Sequence, residues 1–254
     1  MTIEMNQKTV IIIPARYGST RFPGKPLADI NGQPMIAHVI SRAKEAGAER
    51  IVVATDDKRI ATVAKQHCEV CLTSTHHNSG TERLAEVVDI LQLEDDTPIV
   101  NVQGDEPFVP AKNIRQVADN LASHKSLAMA TLATPFTDAT DVLNPNMVKV
   151  VRNHRHEALY FSRSAIPYHR AAMLESSEQI NPTDYLRHIG IYAYRAQYIG
   201  QYVRYNAIML ENYESLEQLR ALWYGDKIHV DIAHETPEGG IDTPEDLARL
   251  LRVL

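Results

Sequence analysis

Four consecutive apolar residues, Val10-Ile11-Ile12-Ile13, are followed at once by Pro14. A run this apolar has no polar face to turn to water, so it predicts a strand buried on both sides, as in a parallel sheet covered by helices. Pro14 has no N–H to give the ladder, so the strand ends there and the chain turns. The next stretch, PARYGSTRFPGKPL over 14–27, sets Arg16, Arg21 and Lys25 among Gly18, Ser19, Thr20 and Gly24, with no acidic side chain before Asp29. Glycines let backbone amides approach a ligand closely, and three cations on one short, exposed loop suit a polyphosphate. The position adds weight, because open α/β sheets bind ligands beyond the carboxyl ends of their strands. The spacing matches neither GxxxxGKS/T nor GxGxxG, so this is neither a Walker A loop nor a dinucleotide fingerprint.

The first half of the chain alternates strand-like and helix-like segments, the pattern of a parallel sheet with crossovers. A helix is expected from near Pro34 to about Gly47, with Ile36, Val39, Ile40 and Ala43 at helical spacing. Residues 51–55 read as the second strand, and a short helix to about Gln66 leads to EVCL. Ser79 and Glu82 form a capping box ahead of Leu84, Val87, Val88 and Leu91. Residues 98–103 read as a strand ending in Gly104-Asp105-Glu106-Pro107. Leu216, Leu219 and Trp223 are expected on the apolar face of a late helix. Thr243-Pro244-Glu245-Asp246 starts another, with a capping hydroxyl, a first-turn proline and two acids at the positive dipole end.

From about 135 to 210 tyrosines accumulate, with Arg163, Arg187, His188 and Arg195 among them. This stretch reads as a substrate-facing insertion on a single domain spanning 1–254, with 170–184 as a loop or lid. Tyr192 and Tyr194, on either side of Ala193, are read as facing opposite ways, which leaves one of the two to meet a ligand.

A length of 254 residues and a hydrophobic fraction of 44% suit one α/β domain with a sizeable core. With 26 basic against 32 acidic residues, the net charge of −6 argues against a nucleic-acid partner. The positive charge is local, in the first loop, which is how an acidic protein holds an anionic ligand. No apolar run approaches the ~18 residues of a membrane span, and the first residues lack the pattern of a secretion signal; a cytoplasmic protein with no membrane partner is expected. Cys68 and Cys71 form a lone C-x-x-C with His67, His76 and His77 nearby. No second pair completes a zinc site, so they read as strand-edge residues, Cys71 being a small apolar one.

Asp105 follows a predicted central strand. Asp242 follows the strand-like IHVDIA and Gly239-Gly240, and it precedes a helix. Two such carboxylates offer the hard oxygens that Mg²⁺ prefers. On residue type alone each reads equally well as a loop acid or as an acid favoured by a helix dipole.

Further blocks run in order along the chain: SGTERLAEV at 79–87, VNVQGDEP at 100–107, NPNMVKVV at 144–151, ALYFSRSAIP at 158–167, LRHIGIYAYR at 186–195, LEQLRALWYG at 216–225 and IDTPEDL at 241–247. With the first loop they resemble the sugar-activating cytidylyltransferases over essentially the whole chain, and among these the members acting on 3-deoxy-manno-octulosonate (Kdo). The resemblance implies a Rossmann-like, open, mostly parallel α/β sheet flanked by helices, of the nucleotide-diphospho-sugar transferase type, with a smaller substrate and dimerisation insertion. It implies transfer of CMP from CTP to the anomeric hydroxyl of Kdo, releasing pyrophosphate, for lipopolysaccharide biosynthesis. A homodimer is implied too, with the tyrosine-rich 190–213 stretch as a source of interface.

The same resemblance implies Mg²⁺ held by Asp105 and Asp242, which with Lys25 form the catalytic set. Nucleotide contacts are implied at Arg16, Arg21, Lys25, Ser79, Gly80, Thr81 and Arg83, although Ser79 and Thr81 are equally good helix-start residues. Sugar-acid contacts are implied at Gln103, Arg163, His188, Tyr192, Glu217 and Gln218; His188 by itself reads as an ordinary core histidine. Three rivals remain. A cytidylyltransferase for a sialic acid or an amino-substituted Kdo would share the first loop and differ over 160–220. A nicotinamide-dependent oxidoreductase would use Asp56 at the end of the second strand, but the glycine fingerprint is missing. A non-catalytic nucleotide-binding regulator should lack one of the two metal carboxylates. Tyr168-His169 after Ile166-Pro167, and Cys68 within a turn, depart from the family's common form.

Overall fold

The computed structural model describes residues 8–18, 22–77, 79–124, 127–175, 180–241 and 243–252, Glu175 by its backbone alone. In chain order the strands are β1 (Val10–Ala15), β2 (Asp29–Ile30), β3 (Gln33–Pro34), β4 (Arg50–Thr55), β5 (Glu69–Leu72), β6 (Pro98–Asn101), β7 (Met129–Pro135), β8 (Lys149–Arg152), β9 (Ala158–Ser162), β10 (Leu186–Arg195) and β11 (Ile228–Ile232). The helices are α1 (Met35–Glu45), α2 (Lys58–Ala64), α3 (Gly80–Ile90), α4 (Ala111–Ser123), α5 (Ala139–Leu143), α6 (Arg170–Glu175), α7 (Ala196–Tyr202), α8 (Met209–Glu214), α9 (Leu219–Trp223) and α10 (Pro244–Leu250).

The main sheet runs β11-β7-β10-β6-β1-β4-β5. Along this order all pairs are parallel except those of β10, which is antiparallel to both β6 and β7; β8 and β9 join the same sheet off this order, β8 pairing antiparallel with β10. Alternation along β1 explains why the sheet is covered on both faces. Ile11, Ile13 and Ala15 pack with Ile36, Ile40, Ile60, Ile114 and Leu121 from α1, α2 and α4. Val10 and Ile12 belong to the opposite layer, with Leu84, Val87, Tyr198 and Ile199 from α3 and α7. The open, mostly parallel sheet flanked by helices is therefore the one expected.

Helix starts follow local chemistry. Ser79 Oγ accepts from Glu82 N (3.2 Å) at the head of α3. Thr243 and Asp246 exchange the reciprocal bonds of a capping box at α10. Cys71 lies buried on β5, an edge strand, and Cys68 is half-buried; both are free thiols. Burial pushes the Cys68 thiol up to about 11, which leaves it unreactive. Among the described residues no helix is long and apolar enough to cross a membrane.

Several expectations need correction. The 135–210 stretch is not one insertion, because β10 returns to the middle of the sheet between β6 and β7. The excursion is confined to the segment between β7 and β10, where β8 and β9 pair antiparallel and Phe136, Val142, Ala172, Ile180 and Tyr185 form a satellite core. The expected lid at 170–184 contains α6 and a 3₁₀ turn, Pro182–Asp184; 176–179 lie outside the described residues. Within 190–213, Tyr192, Tyr194, Tyr198 and Tyr202 are buried, whereas Tyr213 is 78% exposed, so any surface this stretch offers lies at its far end. Trp223, the last residue of α9, is 61% exposed, whereas Leu216 and Leu219 are buried.

Candidate active site

The loop after β1 is closed by its own glycine. Gly24 takes φ 73°, its N–H donates to the Tyr17 carbonyl (2.9 Å), and a Cβ there would lie 2.9 Å from the Tyr17 ring. The Arg59 guanidinium of α2 lies over that ring, 3.4 Å from its centroid. Lys25, at the start of a 3₁₀ turn, sends Nζ to Asp105 Oδ2 (2.6 Å) and to the Ile241 carbonyl (2.9 Å). Lys25 is only 7% exposed, which corrects the exposed loop lysine expected from sequence. Arg16 is exposed at the end of β1, and Arg21 lies outside the described residues.

Asp105 reaches this point because β6 ends at Asn101 and Gly104 crosses against the end of β1, where a Cβ would meet the Pro14 carbonyl at 2.8 Å. Ile241 N donates to the Asp105 carbonyl (3.3 Å), so the segment leading into α10 docks on the same loop. Asp242 lies outside the described residues, between two described neighbours, Ile241 and Thr243.

Beside this loop is a cavity of about 310 Å³. Gly80 and Thr81 from the first turn of α3 form one wall, with Gln103 beyond β6. His188, Tyr192 and Tyr194 of β10 form another, and Glu217 and Gln218 close it. An irregularity between Ile189 and Tyr192 breaks the β10–β7 register and spaces these side chains. Tyr192 and Tyr194 share a face, their rings 5.8 Å apart and both on the cavity, so the opposite orientations expected for them are wrong. Side chains two apart on a strand point the same way.

His188 is half-buried, and desolvation brings it down to about 3, so it is a neutral imidazole at pH 7. The Thr131 hydroxyl donates to the Ile191 carbonyl (2.7 Å) and lies 3.0 Å from His188 Nε2. The hydroxyl proton being spent on that carbonyl, Nε2 carries the hydrogen of the Thr131–His188 bond, which leaves Nδ1 as an acceptor. Burial also raises the Glu217 carboxyl above its ordinary value, against Ser79 and Thr81, whose hydrogen bonds lower it. Glu217 Oε1 and Gln218 Nε2 are buried and have no hydrogen-bond partner among the described residues.

Not every expected contact faces this space. Arg163 sends its guanidinium to the carbonyls of Glu214 (2.6 Å), Pro145 (2.9 Å) and Ser215 (3.3 Å), so it braces the turn leading into Leu216–Gln218. Arg83 is buried against Asp56 Oδ2 (3.0 Å) and the Thr73 hydroxyl, tying α3 to the ends of β4 and β5. Ser79 serves as the α3 cap. Sequence reasoning passed over Asn101, Met129 and Tyr202, which also line the cavity. For Asn101 the signal was available: an amide in the otherwise apolar run Pro98-Ile99-Val100.

The cytidylyltransferase family model matches residues 10–228. The chain is 59% identical to a 3-deoxy-manno-octulosonate cytidylyltransferase of Alteromonas mediterranea, covering 96% of this chain and 98% of the relative. A second protein of that name, from Pseudoalteromonas atlantica, is 57% identical over 95% of this chain and 96% of the relative. Among solved structures, a CMP:2-keto-3-deoxy-manno-octonic acid synthetase complexed with CTP superposes with a TM-score of 0.87 at 41% identity, covering 96% of this chain and 97% of the other. A cytidylyltransferase from Leptospira borgpetersenii shares the fold, with a TM-score of 0.61 at 18% identity over 97% of this chain and 86% of that one. The match begins at the first residue of β1 and reaches β11, enclosing the loop, Asp105 and the whole cavity, and from this the chain belongs to the cytidylyltransferase family.

Proposed function

We propose that this protein transfers CMP from CTP to the anomeric hydroxyl of Kdo and releases pyrophosphate. The observation that carries this reading is the cavity. It opens beyond the end of β6, where Gln103 precedes Asp105 on one loop, and polar side chains of Thr81, Gln103, His188, Tyr192, Glu217 and Gln218 line it, as a hydroxyl-rich acid requires. The relatives bearing the Kdo name are similar over nearly their full length.

In this reading the nucleotide lies along the loop after β1, with its phosphates toward Arg16, Arg21 and Lys25. Fixed cations there stabilise the charge that develops on the departing pyrophosphate. Lys25 is already oriented by Asp105 and Ile241, so little reorganisation accompanies the reaction. Thr81 lies on the boundary between nucleotide and acceptor, since α3 opens onto the cavity. His188, Tyr192, Glu217, Gln218 and Gln103 hold the acid so that its anomeric hydroxyl faces the α-phosphorus. Orientation of this kind turns a bimolecular encounter into an effectively unimolecular step.

Among the described residues no group of three or more His, Cys, Asp or Glu side chains is gathered for a metal. Mg²⁺ needs only one or two protein carboxylates when substrate phosphates and waters complete its shell. Asp105, half-buried at the loop, fits as one such ligand, and we assign Asp242 as the other. The ion, when bound, supplies charge neutralisation on the triphosphate and polarises the α-phosphate.

The test is pyrophosphate release by the purified protein, expected only when CTP, Kdo and a divalent cation are all present. Release with a sialic acid or an amino-substituted Kdo, and none with Kdo, would overturn the acceptor and keep the reaction class. Nucleotide binding without release under any combination would favour a regulator.

A further inference from the structure

Leu216, Glu217 and Gln218 reach the cavity from the short turn between α8 and α9. Ser215, left-handed at φ 50°, ends α8 and leads straight into that turn. Two bonds from neighbouring helices fix its course. Leu216 N donates to the Glu211 carbonyl of α8 (3.1 Å), and the Tyr202 hydroxyl donates to the Glu217 carbonyl (2.7 Å). Tyr202 ends α7, is buried and lines the cavity. The Arg220 guanidinium of α9 lies over its ring, 5.0 Å from the centroid. Arg220 is itself locked to Glu211 by a two-pronged pair, with Nε to Oε2 at 2.8 Å and Nη2 to Oε1 at 2.5 Å. The two charged side chains are only 11% and 12% exposed. A buried ion pair adds little stability over apolar side chains of the same volume, because both charges have been taken out of water. What the fork does supply is direction: it fixes the plane of the guanidinium, and that plane faces the ring.

We propose that Glu211, Arg220 and Tyr202 form a relay of positioning residues that aims the Leu216–Gln218 wall at the sugar acid. This rests on the reading that the cavity takes the acceptor. The Tyr202 hydroxyl is spent on the Glu217 carbonyl, so its effect on the acid passes through Glu217. The Glu217 carboxyl is hydrogen-bonded in turn by Thr81 and Ser79 at the head of α3. The relay therefore ties α7, α8 and α9 to the helix start that forms the facing wall. A wall displaced by a fraction of an ångström holds the acid less well. Lys25 is held separately by Asp105 and Ile241, so the effect falls on the acceptor and spares CTP.

The first test is Tyr202→Phe, which keeps the ring and removes only the hydroxyl. KM for Kdo should rise about 3–10-fold, the scale of one buried hydrogen bond, with kcat and KM for CTP within about twofold. The second test pairs Glu211→Leu with Arg220→Met, replacing the buried ions by apolar side chains. This variant should melt within about 4 °C of wild type or above it, and still show the rise in KM for Kdo. Arg220→Lys keeps the charge without the planar fork, so it should raise KM for Kdo as well. Because all act through Glu217, adding Tyr202→Phe to the apolar pair should be no worse than the worse of the two. The proposal is overturned by an unchanged KM for Kdo in Tyr202→Phe, equal rises in both KM values, wild-type behaviour of Arg220→Lys, or multiplied losses in the combined variant. An apolar pair that loses stability while keeping its KM for Kdo would overturn it too, by making the relay a structural brace only. If the wild type itself releases no pyrophosphate from CTP and Kdo, it is the reading of the reaction that fails.

Discussion

Gly104 is where the architecture leaves least room, and replacing it with alanine tests how the site is held together. The added Cβ would lie 2.8 Å from the Pro14 carbonyl oxygen and 3.2 Å from Ala15 Cβ, whereas ordinary contact begins at 3.4 Å. Neither neighbour can retreat easily, because Pro14 and Ala15 are in register with Ala54 and Thr55 of β4. The segment after β6 must therefore move by about half an ångström, taking Asp105 from its 2.6 Å contact with Lys25. Overpacking of this kind costs about 1–3 kcal/mol. For a chain of this length that corresponds to a fall of roughly 2–10 °C in Tm. A misplacement of about 1 Å costs on the order of 10²-fold in rate, so half of it predicts a loss of about tenfold in kcat. Thermal unfolding and steady-state pyrophosphate release measure the two effects. Gly200→Ala is the control: it lies inside α7 with nothing within 4 Å of its added Cβ, and it should be neutral or stabilising by up to about 1 kcal/mol. Wild-type Tm and kcat in Gly104→Ala would refute the account of how Asp105 is positioned.

Arg83→Met should lower stability by about 3 kcal/mol in urea unfolding, because it leaves the Asp56 carboxylate without its buried partner. Adding Asp56→Asn should recover part of that loss. An unchanged midpoint with a raised KM for CTP would instead give Arg83 a role on the nucleotide. His229 on β11 is held down to about 4, first by burial and then by the nearby His124, His156 and Arg152, against the opposing effect of Asp231. From its ordinary 6.5 down to about 4 the unfolded chain binds a proton that the folded protein refuses. The stability due to neutral His229 is therefore complete above 6.5 and is lost at about 1.4 kcal/mol per pH unit as the pH falls through that window. His188, held down by desolvation, acts with the same sign. His229→Gln should flatten the pH dependence of the urea midpoint by about one proton, and superimposable slopes would contradict this assignment.

Local chemistry determined a good deal here without help from the rest of the chain. The β-branched run marks β1, although the strand continues through Pro14 and ends at Ala15 rather than at the proline. Ser79 and Thr243 mark the starts of α3 and α10, each with a cap formed within three residues. The resemblance blocks brought Gln103, His188, Tyr192, Glu217 and Gln218 to notice, and these five surround one cavity. Such features are readable because the interactions behind them are short in sequence, or because a motif has carried them together.

Tertiary structure alone decided where each segment lies and what each charge is bonded to. Nothing in Leu186–Arg195 announces that it runs antiparallel in the middle of a parallel sheet, because its partners, β6 and β7, lie far earlier in the chain. The resemblance marks Arg163 and Arg83 as candidate ligand contacts, and both guanidinium groups are bonded to protein atoms. Lys25 reads as an exposed loop cation, and only the approach of Asp105 and Ile241 buries it. Asn101 reads as one polar residue in an apolar strand; its place on the cavity wall appears only once β10, α3 and Leu216–Gln218 are brought to the same space. Sequence periodicity specifies which way a side chain points from its own strand or helix. What stands opposite is fixed by contacts between distant segments, and at this site those contacts decide which polar groups stay free for a ligand.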